Sequence, residues 1–401
     1  MRILFVVQRY GEQIAGGSEQ CCRLFAENLA DAGHHVEVAT SCAINYTNWE
    51  NEFPPGQEHL NGVLVNRFLV SQPRQADKFS RIDSSVVWGE YSVPLASQEV
   101  WVNEMGPRTP ELPDWLVTRS ADIDIFIFFT YLYYPTIRGL LAVSGLAPTL
   151  FHPTAHEEPH LTVPIFDKVF RSPDGYGFLT VEEAELVNTR FGHLPAEEVL
   201  GIGAKTDREG IGRRFREKHK LEDKPFLLYL GRIDPGKGSL EAFEYFTTYK
   251  KRNETDLKFV IVGDEVSDLP DHPDIIRTGF ISEEAKNDAI DACTIFLQPS
   301  YYESFSMALS EAWVYSKPAL VQGRCKVLAG QTRRANGGLS YCGFAEFEAG
   351  LDLLLEDSLL REELGSNGRS YVQTNYQWDE FIPRYENLIE QTLEAFSERS
   401  R

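Results

Sequence analysis

The apolar residues of this chain fall in short, nearly unbroken runs. Ile3–Val7, Val36–Thr40, Val63–Phe68, Ile125–Phe129 and Thr149–His152 follow one another through the first half. Pro225–Leu230, Phe259–Val262, Ile295–Leu297 and Ala319–Val321 do the same in the second. Such a run suits a strand covered on both faces, which is the situation inside a parallel sheet layered with helices. Helix patterns lie between the runs. One extends from Ser18, read as its N-cap, to Ala32 and stops at Gly33; others cover Ser239 to about Arg252, Ser282–Ala292 and Ser306–Ser316. Gly177–Val181 reads as a further strand leading into the acidic helix start Glu182–Glu185. Strands separated by helices predict an α/β fold with parallel sheets.

The alternation weakens around Gly201–Asp207 and then restarts on a similar plan. The domain boundary is therefore placed near residue 200, to within about 10 residues. One α/β unit covers residues 1–200 and a second covers 201–377. A last helical pattern, Trp378–Ser397, follows the second unit. From about Asn45 to Trp115 the chain is rich in Pro, Gln and aromatic residues, and only Val63–Phe68 reads as a regular element there.

Composition removes several classes of function. The formal net charge of −21 repels a polyanion, so no nucleic-acid partner is expected. No apolar run reaches the ~18–20 residues that span a bilayer. The opening MRILFVV lacks the long apolar region and cleavage site of a secretory leader and reads as a first strand. Cys21, Cys22, Cys42, Cys293, Cys325 and Cys342 form no CxxC pair, which fits reduced thiols in a cytoplasmic protein. Short basic clusters at Arg213–Lys220, Lys250–Arg252 and Arg333–Arg334 read as solvated faces; at most they allow peripheral contact with an anionic membrane.

Four loops carry residues suited to chemistry. GRIDPGKG, Gly231–Gly238, follows the strand PFLLYL and precedes a helix, so free N–H groups and a positive dipole end face an anion. Arg232 and Lys237 add two cations that suit a departing diphosphate. A phosphate-binding P-loop would need Ser or Thr directly after Lys237, where Gly238 stands, and Pro235 removes an N–H from the cradle. In PSYYESFSMALSEAW, Glu303 and Glu311 are eight residues apart, close to two helical turns of ~7.2 residues. Glu303 is placed in the loop and Glu311 on the helix, with Ser304 and Ser306 both candidates for the N-cap. Glu303 could bind sugar hydroxyls, and Glu311 could reach a ribose or stabilise the loop. Gly16–Gly17 lets a ligand approach the backbone closely but is not GxGxxG, and the second strand ends in Thr-Ser without the acidic residue of a dinucleotide site. FHPTAHEEPH, Phe151–His160, lies at a strand's carboxyl end, where His and Glu could move a proton. Its spacing is not HExxH, and its prolines disfavour a helix that would align metal ligands. The pair Asp122 and Asp124 precedes a strand and reads as a solvated turn, not a metal site.

Taken together, the Gly-Gly loop, GRIDPGKG, the Glu303/Glu311 pair followed by Ala312, TGFIS near Thr278–Ser282, Pro299–Ser300 and GGL at Gly337–Leu339 resemble the GT-B glycosyltransferases of family 4, in that family's order over nearly the whole chain. The resemblance implies two Rossmann-like domains facing across a cleft, with the C-terminal helix (residues 378–401) crossing back to the N-terminal domain. It implies a retaining, metal-independent hexosyltransferase-like enzyme that needs no cofactor beyond a nucleotide-diphosphate sugar as co-substrate. The N-terminal domain would take a saccharide, lipid-linked or small-molecule acceptor, and the second domain the donor. Arg232 and Lys237 would hold the diphosphate, Glu303 the donor sugar with Ser304, Phe305 and Ser306, and Glu311 the ribose. Gly16 and Gly17 would sit against phosphate or acceptor. The catalytic histidine of the acceptor side is His152 or His156, with His156 preferred because carboxylates adjoin it. Ser306 stands where the family usually has Gly, which bears on sugar identity. Nucleotide-sugar epimerisation and a non-catalytic nucleotide-sugar-binding subunit are the alternative functions; incubation with donor alone discriminates the first.

Overall fold

A computed structural model describes residues 1–14, 16–89, 93–207, 209–233, 235–263 and 270–401. The chain divides into two compact units, one formed by Met1–Ile202 with Trp378–Arg401 and the other by Gly203–Gln377.

The first unit is built on eight strands: β1 (Arg2–Val6), β2 (His35–Ser41), β3 (Gly56–Leu60), β4 (Val63–Phe68), β5 (Ile125–Phe129), β6 (Thr149–His152), β7 (Gly175–Phe178) and β8 (Ala196–Val199). Their order in the sheet is β3-β4-β2-β1-β5-β6-β7-β8, and every pairing is parallel except β3 with β4. The exception has a local cause. Asn61 and Gly62 both adopt positive φ (48° and 81°), as a two-residue hairpin turn requires. The central strands IFIFF and TLFH are buried throughout, as double coverage predicts. The helix Trp378–Arg399 belongs to this unit. Phe381 packs on Phe25 with ring centroids 4.7 Å apart, and Arg399 reaches Asp174 at 2.9 Å.

Three local readings need correction. The stretch before Trp115 is not irregular: it holds β3 and the helices Ala76–Val87, Leu95–Met105 and Glu111–Thr118. The first of these fully buries only Val86, but Phe79, Ile82 and Val87 pack half-buried on the same core, an amphipathic pattern at helical spacing. Ser18 is not the cap of the first helix, which begins at Gly17 with extended Gly16 before it. Val181 starts a helix rather than ending a strand, because the Thr180 side chain accepts from the Glu183 N–H and caps it.

The second unit has six strands: β9 (Phe226–Leu230), β10 (Lys258–Val262), β11 (Ile275–Arg277), β12 (Ile295–Gln298), β13 (Ala319–Gln322) and β14 (Gly338–Tyr341). All pair in parallel, in the order β11-β10-β9-β12-β13-β14. Leu227, Phe246, Phe259, Ile295, Leu320 and Leu351 belong to its core. The chain leaves β9 toward one edge of the sheet and leaves β12 toward the other. The loops after β9 and β12 therefore diverge over adjacent strand ends, and such a switch point is where open α/β sheets bind ligands. Among the described residues, no helix is long and apolar enough to cross a membrane.

Candidate active site

The switch point of the second unit brings together two of the sequence motifs. After β9, the Tyr229 hydroxyl donates to the Arg232 carbonyl at 2.7 Å and pins the turn in which Arg232 stands. Asp234 of the same motif lies outside the described residues. A short 3₁₀ turn over Pro235–Lys237 follows, and Gly238 then opens the helix Ser239–Arg252. Gly238 has φ 66°, and a Cβ there would lie 2.1 Å from the Pro299 carbonyl oxygen. Only glycine lets this loop close onto the loop after β12.

That contact sets the central pair. Lys237 Nζ donates to Glu303 Oε1 at 2.8 Å, joining the two loops. Gln298, the last residue of β12, donates to Ser306 Oγ at 3.0 Å and to Glu303 Oε1 at 3.4 Å. Ser306 Oγ in turn accepts from the Leu309 N–H and caps the helix Met307–Val314, so Ser306, not Ser304, is the cap. Ser306 has φ −103°, a conformation any residue adopts; the hydroxyl, not backbone freedom, is what this position uses. Half-buried Ser304 lies between Glu303 and this cap. The Phe305 ring packs inward on Tyr376 with centroids 5.2 Å apart, so it supports the loop from beneath. Glu311 is on the helix as expected, but it is drawn to Lys286 Nζ at 2.8 Å. Cys325 lies beside Glu303; burial, with that carboxylate adding to it, pushes the thiol up to about 11, so it stays protonated and inert.

Gln298 and Lys286 were missed from the sequence. Gln298 left a signal, a polar residue ending the buried run IFLQ. Lys286 left none, since it meets Glu311 only through tertiary packing.

The first unit has its own switch point, between β1 and β5. Gly16 is needed by its surroundings: a Cβ there would lie 2.2 Å from Glu19 Oε2, whereas one on Gly17 would meet nothing within 4 Å. Glu19 is held by Arg9, which donates to Oε1 through Nε at 2.8 Å and Nη2 at 2.6 Å. Burial opposes the charge on Glu19, but Arg9 overrides it and keeps the carboxyl below its ordinary range.

The two histidines part company. His152 is fully buried, stacked on Phe129 at 4.5 Å and hydrogen-bonded through Nε2 to the Tyr385 hydroxyl at 2.7 Å. Burial pushes its pKa down to about 3, so it is neutral and structural. His156 is partly exposed, with Nδ1 3.3 Å from Glu158 Oε1. Glu158 also receives the Tyr131 hydroxyl and faces His160, which reaches Asp83 at 3.2 Å. The His156 loop is anchored from behind by Glu183, which accepts from the Ala155 and Leu179 N–H groups at 2.7 Å each. Among the described residues, no group of three His, Cys, Asp or Glu side chains is arranged to hold a metal ion.

Residues 212–371, most of the second unit, match the family model of glycosyl transferases group 1. This chain has the GT-B fold. The GT-B fold extends over its full length: sucrose-phosphate synthase from Thermosynechococcus elongatus superposes with a TM-score of 0.71 at 17% identity, covering 98% of this chain and 99% of that one. Among sequence relatives, the alpha-D-kanosaminyltransferase of Streptomyces kanamyceticus is 27% identical over 47% of this chain and 53% of its own. An N,N'-diacetylbacillosaminyl-diphospho-undecaprenol alpha-1,3-N-acetylgalactosaminyltransferase of Campylobacter jejuni is 28% identical over 45% of this chain and 48% of its own. The matches thus span about half the length of these two relatives. The Lys237–Glu303 pair lies inside the region matched by the group 1 model.

Proposed function

We propose that the protein transfers a sugar from a nucleotide-diphosphate donor to a hydroxyl of a saccharide, lipid-linked or small-molecule acceptor, with retention and without a metal. The observation that carries this reading is the Lys237–Glu303 bond at the switch point. An ammonium has three donors, so Lys237 can keep Glu303 and still take a diphosphate oxygen. As the bond from the anomeric carbon to the diphosphate breaks, negative charge grows on the leaving oxygen. Lys237, Arg232 and the N-terminal N–H groups of the adjoining helix are the groups that meet it. The acceptor oxygen bonds to the anomeric carbon, and its proton leaves with the diphosphate. These two cations of one loop would supply the charge compensation that a divalent ion supplies elsewhere. Glu303, oriented by Lys237 and Gln298, then has lone pairs for the donor's hydroxyls. The alpha linkages in both relatives' names are what retention yields from an alpha-linked donor. The first unit, with Gly16, Gly17 and His156, is proposed to take the acceptor. The proposed location is cytoplasmic, with peripheral membrane contact if the acceptor is lipid-linked, as the Campylobacter relative's name states for that enzyme.

Ligand-observed NMR with UDP-, GDP-, ADP- and dTDP-sugars tests donor binding, and a turnover assay in EDTA tests the metal. Binding of one donor class that Lys237→Ala weakens is expected, with turnover kept in EDTA. Absence of donor binding, or an EDTA loss that Mg²⁺ restores, sinks the corresponding claim. Isomerised sugar nucleotide from donor alone would favour epimerisation.

A further inference from the structure

Around His156, acidic and imidazole groups form a chain whose other members the transfer reaction as described does not use. His156 Nδ1 lies 3.3 Å from Glu158 Oε1, and His160 Nδ1 lies 3.5 Å from Glu158 Oε2, so one carboxylate faces two imidazoles, one from each oxygen. The Tyr131 hydroxyl donates to the same carboxylate. On the far side of His160, Nε2 meets Asp83 Oδ1 at 3.2 Å, and that oxygen also accepts from Trp101 Nε1 at 2.8 Å. Trp101 stacks on His160 at 22° between ring planes. Both imidazole Nδ1 atoms are buried and make no aligned hydrogen bond among the described residues, so Glu158 acts on them through its charge, while the His156 side chain keeps 28% of its surface. The exposed part of that ring is therefore the part away from Glu158.

We propose that Glu158 is a positioning residue of the acceptor side: it holds His156 with the proton on Nδ1, and His160, braced by Asp83, fixes Glu158 for that task. A carboxylate facing Nδ1 favours the proton there, which leaves the lone pair on Nε2. An imidazole so held accepts a hydrogen bond from a sugar hydroxyl at Nε2, and its orientation is set before the acceptor arrives. The arrangement is self-consistent in charge. Burial works against the charge on His160, but Asp83 and Glu158 together raise its pKa to about 9. Burial likewise opposes the charge on Glu158, yet His156 when it is protonated, together with His160 and the Tyr131 hydroxyl, holds its carboxyl below the ordinary range. The inference rests on the reading that the first unit takes the acceptor at His156.

The tautomer can be read without any ligand. The full-length protein, isotopically labelled at histidine, is examined at about pH 8 by long-range nitrogen–carbon correlation NMR, with each ring assigned by single substitution. The expected wild-type spectrum shows His156 with its proton on Nδ1. Glu158→Met is expected to move that proton to Nε2 while the His152 signals, which report the buried centre of the first unit, stay in place. A wild-type His156 protonated on Nε2 overturns the proposal, whether or not the variant folds. So does a Glu158→Met protein whose His152 signals are unmoved and whose His156 tautomer is unchanged. Failure of the underlying reading is separable: His156→Gln with wild-type turnover would remove the acceptor role while leaving the Glu158–His156 relationship standing.

Discussion

Lys237 Nζ and Glu303 Oε1 are 2.8 Å apart, although 66 residues separate them in the chain. Each comes from one of the two loops that diverge at the switch point. The pair is partly exposed, so it contributes at most about 1 kcal/mol to stability. The pair places a cation and a carboxylate together at one helix start. Lys237→Ala is expected to lower kcat about 10²–10³-fold, the usual effect of losing one donor to developing negative charge. The melting curve should barely move. Single-turnover kinetics beside thermal denaturation would check both; wild-type kcat in the variant removes Lys237 from leaving-group stabilisation.

The Gly-Gly loop divides into one glycine the fold needs and one it does not. Gly16→Ala places a methyl carbon where Glu19 Oε2 stands, and Glu19 is tied to buried Arg9. Parting a buried ion pair costs about 3–5 kcal/mol, which bounds the expected loss of stability from above. Gly17→Ala meets open space and should leave stability within about 0.5 kcal/mol. Chemical denaturation of the two variants tests this contrast. Any loss of turnover in Gly17→Ala then reports a ligand occupying that space.

Two buried groups give the first unit opposite responses to pH. His152 has its pKa depressed from 6.5 to about 3, so the unfolded chain takes up a proton that the folded chain refuses. Its contribution is complete above pH 6.5 and declines as pH falls toward 3. Glu183 has its pKa raised from 4.5 to about 8 by burial, despite two backbone N–H donors. The folded chain keeps that proton while the unfolded chain loses it, so stability declines as pH rises from 4.5 toward 8. Each slope reaches ~1.4 kcal/mol per pH unit for one proton. Between pH 4.5 and 6.5 they oppose one another, and these groups place the stability maximum there. Denaturation midpoints across pH should show that maximum, and Glu183→Gln should flatten the alkaline side and leave the His152 slope unopposed between pH 4.5 and 6.5. An unchanged alkaline slope in that variant would remove Glu183 as its source.

What could be read in the sequence followed from how each signal is encoded. Runs such as IFIFF are unmistakable because both faces of the strand are buried, and composition alone records that. The Asn61-Gly62 turn was equally local, yet its exposed partner strand GQEHL carries no apolar pattern to flank it. The helix Ala76–Val87 carries Phe79, Ile82 and Val86 at helical spacing, a local signal set among more numerous polar residues. The candidate site was legible as residue types in order, but its pairings were not. His152 meets Tyr385 across 233 residues, and nothing near either position announces the other. Glu311 shows the same limit: its sequence neighbours suggest a free carboxylate, and only the packing of the helix Glu283–Ala292 reveals Lys286 beside it.

That last pair bears on how the donor is read. Lys286 Nζ holds Glu311 Oε1 at 2.8 Å and is itself drawn to Glu283 at 3.0 Å. A carboxylate offers about four lone-pair sites, so Glu311 can keep Lys286 and still accept from two ribose hydroxyls. In that arrangement Lys286 limits the rotamers of Glu311 and reduces the ordering cost of binding. Glu311→Gln and Lys286→Met are both expected to raise the donor KM, by about tenfold, or ~1.4 kcal/mol, for the first and less for the second. Their kcat should stay within a few-fold of wild type, because the ribose lies away from the bond that breaks and binds ground and transition states alike. Steady-state kinetics with the donor found in the binding screen would separate the outcomes. An equal fall in kcat and kcat/KM would place Glu311 at the reacting end of the donor, and unchanged constants in both variants would leave the pair a purely structural tie between two helices.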